Sequence, residues 1–197
     1  MRIGLDLRGV TGRDERLALA IEADRLGLWA VLVGAAAGTE IVEASTIATR
    51  TSSIHLAVML DGDSEHAFTL AEEISVLDHL SQRRALAVID GQASTIDHMR
   101  RLLGGEVVAG AVLSPPPAQT SVPVWAAEDL TRAELSGDIT IDGGVIDGHR
   151  DGGCTHLFVT WPGPLPTLAR HLVTRAAGPH FPSIVAEMAD RIDPPST

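Results

Sequence analysis

Residues 65–90 read EHAFTLAEEISVLDHLSQRRALAVID, and this stretch is the most informative one for the fold. Its first part carries apolar side chains at three- and four-residue spacing, which predicts an amphipathic helix: Phe68, Ala71, Ile74, Leu77 and Leu80. Ser81 and Gln82 interrupt that period, and residues 85–89 form a short apolar run typical of a buried strand. A helix that leads into a buried strand is the repeating unit of an α/β protein.

The same unit recurs through the first half of the chain. Strands are predicted at residues 3–7, 29–33, 54–60 and 85–89. Helices are predicted at residues 13–26, 40–50, 64–80 and 96–103. Four strand–helix units in about a hundred residues predict a parallel sheet with right-handed crossovers, covered on both faces. These signals alone are compatible with an open doubly wound sheet and with a barrel.

The second half is less regular. A proline-rich connector spans residues 106–121, and a fifth strand is predicted at 122–125. Residues 131–135 are predicted to form a brief helix, and the Asp- and Gly-rich residues 138–150 a flexible loop with weak strand character. A strand at 154–160, with Cys154 as a core residue, and helices at 165–176 and 182–192 complete the chain. The count is six or seven strands.

Several segments resemble the luciferase-like monooxygenases, which are flavin- or deazaflavin-dependent oxidoreductases built on a TIM barrel. The matches to the family pattern around the third helix are Leu70-Ala71-Glu72, Leu77-Asp78, Leu80-Ser81 and Arg84. AIEADRLGLWAVLV, ASTIATRTSSIHLAVML, SPPPAQTSVPVW and GGCTHLFV are similar to further family segments, in the family's order. The resemblance implies an α/β, TIM-barrel-like fold. Because a full barrel needs about 250 residues, we expect six or seven βα units in one luciferase-like domain over residues 1–197.

The resemblance also implies a site at the C-terminal ends of the barrel strands. This rim would carry residues 6–8, 34–37, 59–63, 90–94, 125–128 and 160–161. FMN or a deazaflavin coenzyme, if the chain retains one, would lie there with its phosphate on backbone amides and helix N-termini. The candidate cofactor-binding residues are Arg8, Asp61, His66, Asp90, Gln92, Arg100, Trp125 and Trp161. No catalytic residue is identified.

The chain departs from the family pattern where that pattern has glycines. Gln82 and Arg83 precede Arg84, and Ile89-Asp90 stands where Gly-x-Gly is expected. Acidic residues are frequent on the predicted rim and oppose a phosphate. Two hypotheses therefore stay open: an active flavin- or deazaflavin-dependent oxidoreductase, or a catalytically inactive relative that serves as a structural or regulatory subunit or binds a small ligand.

Composition narrows the possible partners and chemistry. The chain lacks Lys, Tyr and Asn, which excludes lysine Schiff bases and tyrosine general acids. Its net charge of −11 makes nucleic acid and anionic membranes unfavourable partners. A single cysteine and the absence of a visible signal peptide predict a cytoplasmic protein. Asp61, Asp63 and Glu65 have calcium-loop spacing, but His66 replaces the required glycine, so no metal site is predicted.

The resemblance further implies an oligomer. Relatives pair through helices of the first half, and here those helices, residues 40–50 and 64–80, carry small side chains at Ala44, Ala48, Ala67 and Ala71. Small residues allow helices to approach closely, and a shortened barrel leaves apolar surface exposed. We therefore expect a homodimer, or a heterodimer with a related chain.

Overall fold

The computed structural model describes residues 1–34 and 38–176. Its strands are β1 (Arg2–Asp6), β2 (Ala30–Val33), β3 (His55–Asp61), β4 (Ala85–Asp90), β5 (Val124–Ala126), β6 (Arg132–Glu134) and β7 (His156–Thr160). Its helices are α1 (Arg13–Arg25), α2 (Glu40–Ala48), α3 (Ala67–Leu80), α4 (Ala93–Leu103), α5 (Ile139–Asp151) and α6 (Leu165–Ala176). The predicted helix at 182–192 and the rim residues 35–37 lie outside the described residues.

All seven strands belong to one curled parallel sheet, in the order β5-β4-β3-β2-β1-β7-β6. β7 pairs with β1 from Arg2↔His156 to Leu5↔Val159, so the first and last strands are neighbours, as they are in a barrel. Among the described strands, β5 and β6 form the two edges and do not pair with each other. The fold is therefore a shortened TIM-barrel-like sheet, opened between β5 and β6. This confirms the predicted fold class and the four complete βα units of the first half.

The opening lies where the chain passes from β5 to β6 without a long helix. A single 3₁₀ turn at Ala127–Asp129 is followed by Leu130, which is buried in the interior of the sheet. The carbonyl of Thr131 then accepts a hydrogen bond from the amide of Phe158 on β7 (3.0 Å). This short connection stands where a complete barrel has a longer βα segment, and it places the Leu130 side chain in the interior of the sheet.

Two apolar layers lie on opposite faces of the sheet. The outer layer packs the sheet against the helices, as parallel strands require. The inner layer fills the concave face with Ala30, Leu32, Ala57, Leu86, Val88, Leu130 and Phe158. A Cβ on Gly4 would come within 2.5 Å of the Phe158 ring, so β1 approaches that ring closely only because residue 4 is glycine. The concave face of the sheet is thus filled by a packed apolar core.

Two predictions for the second half were wrong. Within residues 131–135 the structure has strand β6 (Arg132–Glu134) rather than a helix, because these residues pair with β7 and Ala133 packs against the outer layer. Residues 139–150 lie in helix α5 rather than in a loop. Asp138 caps that helix by accepting a hydrogen bond from the amide of Thr140 (2.9 Å), and buried Ile146 anchors it. Capping and packing outweigh the low helix propensity of the glycines.

Candidate functional site

The seven strands bring their C-terminal residues to one edge, which we call the mouth. Parallel register sets Asp61 beside Asp90, and Glu134 beside Thr160. The mouth therefore has two chemically different sides. One lies over β3 and β4, and the other over β1, β6 and β7.

On the β3–β4 side, carboxylates of the protein itself accept hydrogen bonds from backbone amides. The Asp61 carboxylate accepts hydrogen bonds from the amides of Asp63 (3.0 Å) and Ser64 (3.1 Å). The bond from Asp63 is the main reason why the pKa of Asp61 lies below its ordinary value. The Asp63 carboxylate in turn accepts from the amide of Gln92 (3.3 Å), the residue that precedes α4. Amides that would suit an external anion are already bound to internal ones.

The two turns on this side also pack directly on each other. The Gly62 amide donates to the carbonyl of Asp90 (2.7 Å). A Cβ on Gly91 would come within 3.0 Å of the Gly62 backbone, so the turns touch main chain to main chain. This side of the mouth is acidic, and the cavity beside it is small, about 150 Å³, with Asp61, Glu65 and Glu73 in its lining.

The other side holds a cavity of about 520 Å³, which we call the mouth cavity. It is lined by Asp6, Arg8, Gly9, Leu130, Arg132, Ala133, Glu134 and Thr160. Arg8 is fixed on buried Asp6, with Nε to Oδ1 at 2.9 Å and Nη2 to Oδ2 at 2.6 Å. Side-chain hydrogen bonding to Asp6 is the main reason why the pKa of Arg8 lies above its ordinary value. The volume lies in the range of small-molecule sites.

Three cavity side chains keep their polar groups available. Arg132, Glu134 and Thr160 are exposed. Within residues 1–34 and 38–176, their side chains make no ion pair or hydrogen bond. Arg132 and Glu134 lie two residues apart on β6 and therefore face the same side of the sheet. The cavity thus presents a free guanidinium and a free carboxylate next to a neutralised ion pair.

The structure distributes the predicted site residues over different places. Arg8 lines the mouth cavity, whereas Asp61, Asp90 and Gln92 lie on the acidic β3–β4 side. His66 is exposed and caps α3, because its Nδ1 accepts the amide hydrogen of Phe68 (3.2 Å).

The remaining three predicted residues lie away from both sides of the mouth. Arg100 donates from Nε to the carbonyl of Val124 (3.2 Å) at the start of edge strand β5. Trp161 is buried in the outer layer, and its indole N–H donates to the carbonyl of Pro164 (3.1 Å). Trp125 lies on the concave face and stacks on Trp29, with ring centroids 5.8 Å apart. Their role in holding a cofactor stays a prediction.

Sequence reasoning missed Leu130, Arg132 and Glu134. The available signal was the alternation of residues 131–135, in which Ala133 and Leu135 are the apolar members. Three residues are too few for that period to be distinguished from a helical turn. Only the pairing of β6 with β7 assigns these side chains to the mouth.

A histidine and tryptophan cluster lies at the opposite end of the strands. Trp29 contacts His55 and His156, with ring centroids 5.7 and 4.6 Å apart. Burial lowers the pKa of both histidines, and the nearby positive charge of Arg2 lowers each further. The folded protein therefore holds these imidazoles neutral more firmly than the unfolded chain does.

This cluster predicts a loss of stability in mild acid. As the pH falls below the unfolded histidine value of about 6.5, the unfolded chain takes up protons that His55 and His156 in the folded state resist. We expect the thermal unfolding midpoint to fall steadily between pH 7 and pH 5. His55→Phe should reduce that fall, whereas the exposed control His98→Gln should leave it unchanged. Equal pH slopes in all three proteins would contradict this prediction.

Neither a metal site nor a membrane span is visible in the part of the chain that the structure describes. No group of three His, Cys, Asp or Glu side chains there is arranged to hold a metal ion. None of the helices described has the length and apolar character needed to cross a bilayer.

Two solved monooxygenase structures share this arrangement of strands and helices. The monooxygenase RslO1 from Streptomyces bottropensis aligns with a TM-score of 0.57 at 15% identity, over 98% of this chain and 82% of its own. The fold is the luciferase-like barrel. The oxygenating constituent of 3,6-diketocamphane monooxygenase from Pseudomonas putida, solved with FMN, aligns with a TM-score of 0.55 at 13% identity, over 80% of this chain and 57% of its own.

A third solved structure, apo-MsnO8, aligns with a TM-score of 0.52 at 15% identity, over 80% of this chain and 54% of its own. No protein-family model and no curated protein sequence matches the chain. This chain spans little more than half the length of the Pseudomonas putida monooxygenase constituent and of MsnO8. At these identities the likeness establishes the fold and leaves the chemistry to be argued from the site.

Proposed function

We propose that this luciferase-like barrel is a catalytically inactive relative that binds a small ligand at its mouth. The observation that carries the proposal is the capture of the amides of Asp63, Ser64 and Gln92 by the carboxylates of Asp61 and Asp63. The family resemblance implies that a cofactor phosphate would use amides of such turns. Here a phosphate would have to displace two carboxylates from their hydrogen bonds.

Electrostatics adds to this misfit. Asp61 and Asp90 are register partners and both are exposed at the mouth. A carboxylate about 4 Å from a phosphate costs about 1–4 kcal/mol per unit charge at effective dielectric constants of 80 to 20. The residues on the β3–β4 side therefore do not fit the phosphate of FMN or of a deazaflavin coenzyme.

A flavin titration tests the proposal. We expect freshly purified protein to be colourless and FMN to bind weakly. Asp90→Gly should tighten FMN binding by about 5-fold or more, with a larger effect at low salt. The matched control is Asp151→Asn, an exposed carboxylate at the far end of α5, which should change nothing. Protein that purifies yellow with stoichiometric flavin would refute the inactive assignment.

An active flavin- or deazaflavin-dependent oxidoreductase is the second candidate. It is favoured by the FMN in the structure of the Pseudomonas putida monooxygenase constituent, which shares this fold. In that case Arg8 would be the first phosphate ligand to test, since it lines the mouth cavity. Arg100 is less suited, because its Nε is already bound to the carbonyl of Val124.

We also propose a dimer formed through α2 and α3, on grounds that differ from the sequence argument. Ala44, Ala48, Ala67 and Ala71 are buried within the chain itself, so they are not available to a partner. The same two helices nevertheless expose Val42, Val76 and Leu80 by 60%, 55% and 45%. We infer that these three side chains form one contact surface, since a contiguous exposed apolar patch marks an interaction site.

The dimer is tested by disrupting this surface. We expect light scattering to give twice the chain mass for the native protein at micromolar concentration. Val76→Glu should convert it to a monomer, because a charge would be buried without a partner. Val107→Glu, at a valine that is 61% exposed after α4, is the control and should leave the dimer intact. A native monomer would rule the proposal out.

A further inference from the structure

We propose that the mouth cavity binds a small zwitterion, with a carboxylate on Arg132 and an ammonium group on Glu134. This inference rests on the proposed ligand-binding function and adds the chemical class of the ligand. Both side chains line a cavity of about 520 Å³ and, among the described residues, neither is paired. The ligand class follows from how the charges of this cavity are arranged.

The cavity contains one satisfied ion pair and two free charges of opposite sign. Arg8 and Asp6 neutralise each other through two short hydrogen bonds. Asp6 is only 8% exposed, and its Oδ1 also accepts the backbone amide of Arg8 (3.1 Å), so both of its oxygens are occupied. The charges left for a ligand are therefore those of Arg132 and Glu134.

The strand geometry keeps these two charges on one wall. Residues i and i+2 of a strand face the same side with their Cα atoms about 6.6 Å apart. β6 is held in register by β7, with Arg132 opposite Phe158 and Glu134 opposite Thr160. Thr160 adds a hydroxyl group beside Glu134, and buried Leu130 supplies an apolar contact. A ligand with two opposite charges joined by a short apolar spacer matches this wall.

Ligands with a single charge match it less well. A simple anion on Arg132 would approach Glu134, and a simple cation on Glu134 would approach Arg132. A zwitterion satisfies both groups and adds no net charge to a chain that already carries −11. The planar guanidinium of Arg132 also suits a carboxylate, which can accept two parallel hydrogen bonds.

The experiment uses the full-length protein and a series of ω-amino acids. Glycine, β-alanine, 4-aminobutanoate and 6-aminohexanoate are titrated by calorimetry, with butanoate and butylammonium as matched single-charge controls. We expect at least one zwitterion to bind at least about 5-fold more tightly than either control. Arg132→Gln and Glu134→Gln should each weaken that binding by about 5- to 10-fold, and the exchange Arg132→Glu with Glu134→Arg should restore it.

Other results would overturn the inference. Binding of none of the four zwitterions, equal binding of butanoate, or unchanged binding by Arg132→Gln would each do so. Far-ultraviolet circular dichroism of every variant shows whether it is folded. The proposed function fails through a different measurement, the flavin titration, so protein that binds both FMN and a zwitterion would refute the inactive assignment and still support this site.

Discussion

Replacing Arg84 by alanine is expected to lower the free energy of unfolding by about 3–4 kcal/mol, because several acceptors would lose their only charged donor. Arg84 is 8% exposed. Its guanidinium donates to the carbonyls of Ala48 (3.0 Å), Thr51 (3.1 Å), Ile54 (2.8 Å) and Ser81 (2.6 Å). It thereby joins the end of α2, the start of β3 and the end of α3.

Chemical denaturation of three variants measures this effect. Arg84→Lys should recover only part of the loss, since an ammonium group lacks the planar fork that reaches carbonyls on several segments. The neighbouring Arg83 is exposed, and among the described residues its side chain has no bonded partner, so Arg83→Ala is the control and should change stability little. A loss below about 1 kcal/mol for Arg84→Ala would show that the network contributes little net stability.

Replacing Asp78 by alanine is expected to cost about 2–3 kcal/mol and to loosen the proline-rich connector. Asp78 is fully buried in α3, and its carboxylate accepts from the backbone amide and the side-chain Nε2 of Gln119, both at 2.7 Å. The same Nε2 reaches the carbonyl of Ala85 at 2.9 Å. The pair therefore ties the connector to the sheet.

A double-mutant cycle with Gln119→Ala isolates this pair. We expect the two single losses to be non-additive, because both variants lose the bond from Gln119 Nε2 to Asp78, whereas the bond from the Gln119 backbone amide is lost only in Asp78→Ala. Limited proteolysis should cut the connector faster in Asp78→Ala than in the native protein. The exposed Asp97→Ala on α4 serves as the surface control. Additive losses together with an unchanged cleavage rate would argue against the proposed role of the pair.

These two residues explain why the resemblance informs fold more than chemistry. Asp78, Ser81 and Arg84 are among the positions that match the luciferase-like pattern, and all three serve packing and hydrogen bonding at the base of the sheet. Gln82 and Arg83 stand where the pattern has glycines, and their φ angles of +57° and +70° show why glycine is favoured there. The matched residues therefore specify the turn that connects α3 to β4.

The first half of the fold could be predicted from the sequence by itself. Its helices and strands are long enough for apolar periodicity to identify them, and α3 ends at Leu80 as the pattern of residues 65–90 predicts. The second half was harder. β5 and β6 have three residues each, and the glycines of α5 favour a loop locally until the cap at Asp138 and the packing of Ile146 are taken into account.

The composition and motifs of the sequence thus determined an acidic, parallel, barrel-like protein whose segments resemble the luciferase-like monooxygenases. The tertiary structure alone decided where the barrel opens, which amides the rim carboxylates occupy, and that Arg132 and Glu134 face the cavity beside Arg8. The physical reason is that these features depend on strand register and on contacts between residues far apart in the chain. A periodic pattern describes a residue's own element and does not specify which distant element lies beside it.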